Sequence, residues 1–265
     1  MFKNRKKAYV IAEVGSNHNG DIKLAKKLID KAKECGADAV KFQSWNTELF
    51  SKKVYRDNYF LGDDYRNRKD YSLKDIVKKF SLNKQQLLTL RNYCIKKKIQ
   101  FCTTPFSEVQ VTDLKDFKVP FIKIASMDIT NPGILKEAAK SGLYVILSTG
   151  FSSLYEIARA TEYLVKQGNS KICLLHCIGL YPPPSDTLVN LNNLKMLETA
   201  FGFPVGYSDH TLGTEISIAA IALGAKVIEK HFTLDKNMFG WDHHMSVTPQ
   251  ELTLICKARD RISDA

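Results

Sequence analysis

Short apolar runs rich in β-branched and aromatic residues alternate with helical patterns along the whole chain. Eight runs read as strands, at residues 9–13, 39–43, 100–103, 121–125, 145–148, 172–176, 205–207 and 227–231. Stretches such as Val145-Ile-Leu and Ile172-Cys-Leu-Leu have no polar face, which suits strands buried on both sides, as in a parallel sheet. A helical pattern follows each run. Eight such units in about 250 residues predict an α/β chain folded as a single-domain (β/α)8 TIM barrel over residues 1–265. A doubly wound open sheet is the competing arrangement, but no Gly-rich dinucleotide fingerprint follows the first run.

Punctuation residues divide the units. Asp21 is placed to cap a helix starting near Ile22, and Gly36 to end it. Pro105 closes the third strand, Asn131-Pro-Gly133 predicts a turn after the fourth, and Tyr181-Pro-Pro-Pro-Ser a stiff loop after the sixth. The last helix is expected near Pro249. Residues 44–81 form a long, charged, tyrosine-rich excursion after strand two, the position of an active-site loop or lid in a barrel.

A parallel βα unit returns the chain to the same end of the sheet, so all C-terminal strand ends share one rim. In the stretch from Val205 to His231, a strand, a helix and a strand place His210 and His231 on neighbouring strand ends, with Asp209 and Glu229 alongside. Two imidazoles there can share one divalent ion; the alternative is that each only hydrogen-bonds locally. Glu13, Lys41, Gln43, Thr104, Lys123, Ser126, Ser148, Tyr181 and Ser208 fall at or just beyond the same rim. Lys41 and Lys123 are costly to bury without an anion, or else without an ion pair to Glu13 or Asp128. The hydroxyls of Thr104, Ser126, Ser148 and Ser208 can complete a phosphate cradle. Glu13, Asp242 and Glu229 are the candidate acid/base carboxylates, or charge balance for the cations. His18 reads as a loop hydrogen-bonder, His176 as a pocket wall, and Trp45 and Trp241 as packing or lid residues.

Composition narrows the partners. The chain has 39 basic against 28 acidic residues, a net charge of +11, and is 44% hydrophobic. That charge suits nucleic acid or a small anion, but most lysines fall on expected solvated helix faces and no nucleic-acid-binding motif is present, so no nucleic acid partner is expected. No apolar run approaches the ~18 residues of a membrane span, and Met-Phe-Lys-Asn-Arg-Lys-Lys leads straight into a strand; the expectation is a cytoplasmic protein with no membrane partner. Six scattered cysteines predict buried, reduced thiols.

Several motifs in order carry a resemblance. Ile11-Ala-Glu-Val-Gly-Ser-Asn-His-Asn-Gly-Asp, Gly36-Ala-Asp-Ala-Val-Lys-Phe-Gln, Thr103-Thr-Pro-Phe-Ser, Lys123-Ile-Ala-Ser, Leu147-Ser-Thr-Gly, Gly206-Tyr-Ser-Asp-His-Thr-Leu-Gly and Ile228-Glu-Lys-His-Phe-Thr-Leu-Asp resemble the catalytic barrel of the sialic acid synthase (N-acetylneuraminate synthase) family. The resemblance implies a transferase of carbohydrate and polysaccharide biosynthesis. It would condense phosphoenolpyruvate (PEP) with an N-acylated mannose-type aldose to give a nonulosonic 2-keto-3-deoxy acid and phosphate, with Mn2+, or alternatively Mg2+ or Co2+.

By the same resemblance, His210 and His231 hold the metal; Lys41, Thr104, Lys123, Ser126, Ser148 and Ser208 cradle PEP; Glu13 or Asp242 handles the proton of water; and Gln43, Tyr181 and Asp242 face the sugar. A homo-oligomer, a dimer, is implied. The family places a polar residue where Gly179 stands and a glutamate where Asp128 stands, so contacts to acceptor or phosphate are expected to change, with Gly179 making room beside the sugar. No counterpart of the family's C-terminal antifreeze-like domain is expected. Acceptor handling is therefore expected to differ, with the 44–81 loop, a neighbouring subunit, a separate cap protein or a changed acceptor in compensation. A metal-dependent pyruvate aldolase and a non-catalytic sugar-binding barrel are the rival readings.

Overall fold

A computed structural model of the protein describes residues 1–48 and 72–265. Eight parallel strands, β1 (Tyr9–Gly15), β2 (Ala39–Gln43), β3 (Gln100–Thr104), β4 (Phe121–Ile124), β5 (Tyr144–Ser148), β6 (Ile172–Cys177), β7 (Val205–Asp209) and β8 (Val227–His231), pair in the order β3-β2-β1-β8-β7-β6-β5-β4. The sheet's two ends meet across a seam where Cys102 Sγ of β3 lies 3.4 Å from the carbonyl oxygen of Phe121 in β4. The result is a nearly closed (β/α)8 barrel, as the alternation predicts. Strand positions agree with the sequence reading; most strands run one or two residues longer, and β4 stops one earlier.

The helices are α1 (Ile22–Glu34), α2 (Leu73–Phe80), α3 (Lys84–Lys97), α4 (Glu108–Asp116), α5 (Pro132–Lys140), α6 (Leu154–Lys166), α7 (Asn193–Phe201), α8 (Glu215–Ala222) and α9 (Pro249–Asp264). Local chemistry starts them. Asp21 accepts from the Lys23 amide at the head of α1, and Thr248 with Glu251 forms a capping box for α9. Asn131-Pro-Gly133 is a helix start rather than the expected turn. Asn131 accepts from the Gly133 and Ile134 amides, and Pro132 occupies the first helical position, where its missing N–H costs nothing. The lysines of α1 and α3 are exposed or half-buried on their helices, and all six cysteines are buried and free. No described helix is long and apolar enough to cross a membrane.

Of the 44–81 excursion, residues 49–71 lie outside the described residues. Its two ends pack on the rim: Trp45 joins Ile76 and Phe80 of α2, with Phe106, Phe239 and Trp241, in one apolar cluster. Trp45 and Trp241 meet edge to face at 5.3 Å, so both are packing residues here. The close approach of α2 to the β1–α1 loop needs a glycine. A Cβ on Gly20, whose φ is +77°, would stand 2.1 Å from the Lys79 carbonyl oxygen.

Period-two alternation divides each strand between two cores. Outward residues such as Val10, Val40, Ile122, Leu174 and Ile228 pack under the helices. Inward residues such as Tyr9, Ile11, Cys102, Ile146 and Leu175 fill the lower barrel, which Phe2 closes from below. Above that apolar layer the inward positions turn polar.

Candidate active site

Three charged side chains converge where the interior changes chemistry. Lys41, Lys123 and Glu229 are inward residues of β2, β4 and β8, each at most 6% exposed at the side chain. Lys41 Nζ lies 2.6 Å from Glu13 Oε2 of β1 and 3.6 Å from Glu229 Oε2, and it donates to Thr104 Oγ1 at 2.7 Å. Lys123 Nζ lies 3.4 Å from Glu229 Oε1, which also accepts from Ser208 Oγ at 2.9 Å. The four ionisable groups therefore belong to one buried system. The alternative weighed from sequence for these lysines, an ion pair to Glu13 or Asp128, is met for Lys41 by Glu13.

The two carboxyls are driven apart. Burial disfavours charge on both, but Glu229 sits between two ammonium groups and is held down at about 2, so it is ionised. Burial pushes Glu13 up to about 8, since Lys41 only partly offsets it and the charge on Glu229 adds to it. For Lys41, the two carboxylates outweigh burial and raise its pKa, which keeps it charged. Burial therefore weakens the charge of Glu13, one of the two carboxyls that face the two lysines at the floor of a cavity of about 330 Å³.

Gln43, Thr104, Ser126, Ser148, Tyr181, Ser208, His210 and His231 line that cavity as predicted, whereas Asp242, expected to face the sugar, is not among the lining residues. Ser126 Oγ accepts from the Gly150 amide at 3.0 Å and lies 3.2 Å from Cys177 Sγ. Glu13 Oε1, Gln43 Oε1, Ser148 Oγ, Glu229 Oε2 and His231 Nδ1 are buried there without a protein hydrogen bond. Glu229 Oε2 and His231 Nδ1 have only longer ionic contacts, and buried polar atoms without a hydrogen bond gathered around one cavity mark a polar ligand site.

At the mouth, the His210 and His231 rings stand 5.6 Å apart between centroids. His210 Nδ1 lies 2.6 Å from the Ile178 carbonyl oxygen, which can only accept, so Nδ1 carries the proton and Nε2 keeps its lone pair. Burial holds His210 down at about 4 and His231 well below its ordinary value, so both rings are neutral at pH 7. Asp242 Oδ2 faces His231 Nδ1 at 3.4 Å. Two neutral imidazoles are the donor form a divalent ion needs, and this set fits one. Among the described residues, no three His, Cys, Asp or Glu side chains form a ready-made metal cage. An ion held here would keep positions open for substrate.

Four sequence expectations need correction. Asp128 is not among the residues lining the cavity; its Oδ1 accepts from Asn131 at 3.4 Å near the start of α5, and it makes no pair with Lys123. His176 is not a pocket wall. It points out of the barrel, lies tilted against the Tyr207 ring and hydrogen-bonds the Val189 carbonyl oxygen at 2.6 Å. Asp209 also faces outward, paired with Lys230 at 2.9 Å, while Glu229 does lie beside the imidazoles as expected. Gly179 makes room for the Phe151 ring, since a Cβ there would sit 2.0 Å from Phe151 Cζ. His18 is the expected loop hydrogen-bonder, accepting from the Gly20 amide at 3.0 Å. Phe106, Met127, Phe151 and Cys177 line the cavity without having been singled out; Cys177 and Phe106 were within reach of period-two counting and of position next to Pro105.

The fold and site thus define a (β/α)8-barrel enzyme with two buried lysines at the floor of a hydroxyl-lined cavity beneath a two-imidazole mouth. The NeuB family pattern matches residues 28–265. The chain is 45% identical over 263 residues to the N,N'-diacetyllegionaminic acid synthase of Campylobacter jejuni, covering 98% of this chain and 78% of that one. It is 36% identical over 257 residues to the human N-acetylneuraminate-9-phosphate synthase, covering 94% and 68%. Among solved structures, an N-acetylneuraminic acid (sialic acid) synthetase of Leptospira borgpetersenii in complex with citrate superposes with a TM-score of 0.84 at 37% identity, over 97% of this chain and 84% of that one. The chain belongs to the NeuB family, and it is a transferase-type synthase.

Proposed function

We propose that the protein condenses phosphoenolpyruvate with an aldose, giving a nonulosonic 2-keto-3-deoxy acid and inorganic phosphate. The observation that carries this is the pair of buried lysines at the floor of a hydroxyl-lined cavity whose mouth holds two neutral imidazoles. The named relatives are synthases of legionaminic and N-acetylneuraminic acids, which favours an N-acylated aldose as acceptor.

In this reading Lys41 and Lys123 pair with the phosphate and carboxylate of PEP, and Thr104, Ser126, Ser148 and Ser208 donate to their oxygens. The clamp turns the enol carbon, C3, toward the mouth. His210 and His231 would hold a divalent ion, Mn2+ or alternatively Mg2+ or Co2+, which when bound polarises an aldehyde carbonyl. C3 attacks the aldehyde carbon, forming the new C–C bond as the C=O π bond opens, which leaves an oxocarbenium at C2 and an alkoxide that takes up a proton. Water adds to C2, with Glu13 or Asp242 handling its proton, and phosphate leaves by C–O cleavage. Gln43, Tyr181 and Asp242 contact the sugar. A pyruvate aldolase has one carboxylate to bind and no use for a second buried lysine with a hydroxyl cradle.

The test is phosphate release from PEP with a panel of aldoses and Mn2+. Release should require an aldose and stop after exhaustive chelation. In His210→Ala and His231→Ala, bound Mn2+ measured directly should fall together with activity. Full activity after chelation overturns the metal assignment, and release without any aldose overturns the condensation.

A further inference from the structure

Two oddities meet on opposite sides of the cavity mouth. Phe151, in the loop after β5, has φ +61°, a left-handed backbone that a bulky side chain adopts at a cost. The residue is also 75% exposed, so it adds little to the core. Glycine or asparagine would be less strained at this position, and a polar side chain better solvated. Facing it, in the loop after β6, Gly179 leaves open the volume that the ring fills. The Phe151 tip is seated on Gly179, and neither loop explains its residue alone. Strain of this kind concentrates where a side chain must be held for function.

The surroundings say what the ring is held for. Phe106, Met127, Phe151 and Tyr181 line the mouth, while the lysines and glutamates line the floor. Met127 is 59% exposed, so the opening itself is apolar. A cavity charged below and apolar above fits an anion inside and a second reactant whose outer portion is partly apolar.

We infer that Phe151 is a specificity-determining residue for the acceptor, forming with its seat on Gly179 an apolar wall that selects an aldose bearing an acyl methyl or a deoxy carbon. This rests on the condensation reading and deepens it. Selection acts on the acceptor alone, because PEP is bound at the opposite end. The seat matters as much as the ring. A methyl on Gly179 meets the far end of a flexible side chain, so Gly179→Ala displaces the ring without disturbing the barrel.

Phosphate release is measured with two aldoses that differ only in an acetamido against a hydroxyl group at one carbon, in the wild type, Phe151→Ala, Gly179→Ala and the double variant. The wild type should prefer the acetamido sugar by at least roughly tenfold in kcat/KM, the scale of one small apolar group in a fitted pocket. Phe151→Ala should lose most of that preference through acceptor KM, with the KM for PEP unchanged within about twofold. Gly179→Ala should do the same. The double variant should be no worse than either single one, because both remove one interaction. Phe151→Gly should lose the preference yet melt no lower than the wild type, since it relieves the left-handed strain. Undiminished preference in Phe151→Ala, additive losses in the double variant, or a parallel rise in the KM for PEP overturns the inference. A wild type that turns over both sugars equally does so too. A wild type that releases no phosphate with any aldose overturns the condensation reading itself.

Discussion

Lys41 and Lys123 are nearly enclosed, and an ammonium taken out of water loses several kcal/mol of solvation that only close partners restore. Their partners, Glu13 and Glu229, offer less than two full charges because burial pushes Glu13 up to about 8. If PEP completes the balance, each lysine contact contributes roughly 1.5–3 kcal/mol, and Lys41→Met or Lys123→Met should weaken PEP binding at least about tenfold. Unchanged affinity in both, measured by calorimetry, would leave the lysines as counter-ions of the glutamates only. His18 gives a residue-scale test of stability. Burial holds it near 4 against an ordinary 6.5, so the folded protein binds fewer protons than the unfolded chain between those values. Stability should fall as pH drops from about 6.5 toward 4, by at most roughly 3 kcal/mol from this group, and level off below. His18→Asn, which keeps an acceptor for the Gly20 amide, should flatten that part of the profile; an identical pH dependence in the variant would place the effect elsewhere.

Between β7 and β8 the structure carries a device on the outer face of the barrel that holds the rim from behind. Asp209 and Lys230 are fully buried and 2.9 Å apart. Asp209 Oδ1 accepts from the Thr211 amide and hydroxyl, Oδ2 accepts from Ser217 of α8, and Lys230 donates to the Thr211 carbonyl oxygen. The backbone on both sides of His210, and the strand between Glu229 and His231, are thereby fixed. Lys230→Met strands a buried carboxylate and should cost about 3–5 kcal/mol, whereas Asp209→Leu with Lys230→Met removes both charges and should recover a large part of that loss. Chemical denaturation decides it, and a double variant as unstable as the single one would count against the clamp. Alternation makes part of this readable in advance. Once Ser208 and Glu229 face inward, Asp209 and Lys230 must face outward, and the expectation of Asp209 beside the imidazoles neglected that count. His176 is harder. Every residue of β6 is buried, so its apolar run does not say which side is the interior, and only the tertiary structure assigns it. Asn131-Pro-Gly133 fails for another reason: the same residues favour a turn and a helix start, and packing of the segment that follows decides between them.

At the scale of the whole molecule the two ends of the barrel do different work, and the sequence shows one far better than the other. The upper end is readable because it needs charged and hydrogen-bonding residues at strand ends, which stand out against apolar runs; Lys41, Lys123, His210 and His231 are conspicuous for that reason. The interlock of Phe151 with Gly179 joins two loops far apart in sequence, and no local pattern announces it. The lower end is equally silent, because Phe2 precedes the first strand in a short charged leader with no periodicity. Yet Phe2 is wholly buried, meeting Tyr9, Phe121 and Tyr144 edge to face at 5.6, 6.0 and 5.4 Å. Such contacts add to the burial of a large ring, so Phe2→Ala should destabilise the protein by about 3–5 kcal/mol and lower its melting temperature by roughly 10 °C. The floor of the active-site cavity is built from other residues, with the layer of Ile11, Ile146 and Leu175 between. Below its lowered melting point the variant should therefore bind PEP as the wild type does, as expected of a barrel whose bottom serves stability and whose top serves chemistry. A variant that melts normally would show that the ring does not close the barrel, and one that keeps its fold but loses PEP affinity would show that the two ends are not independent.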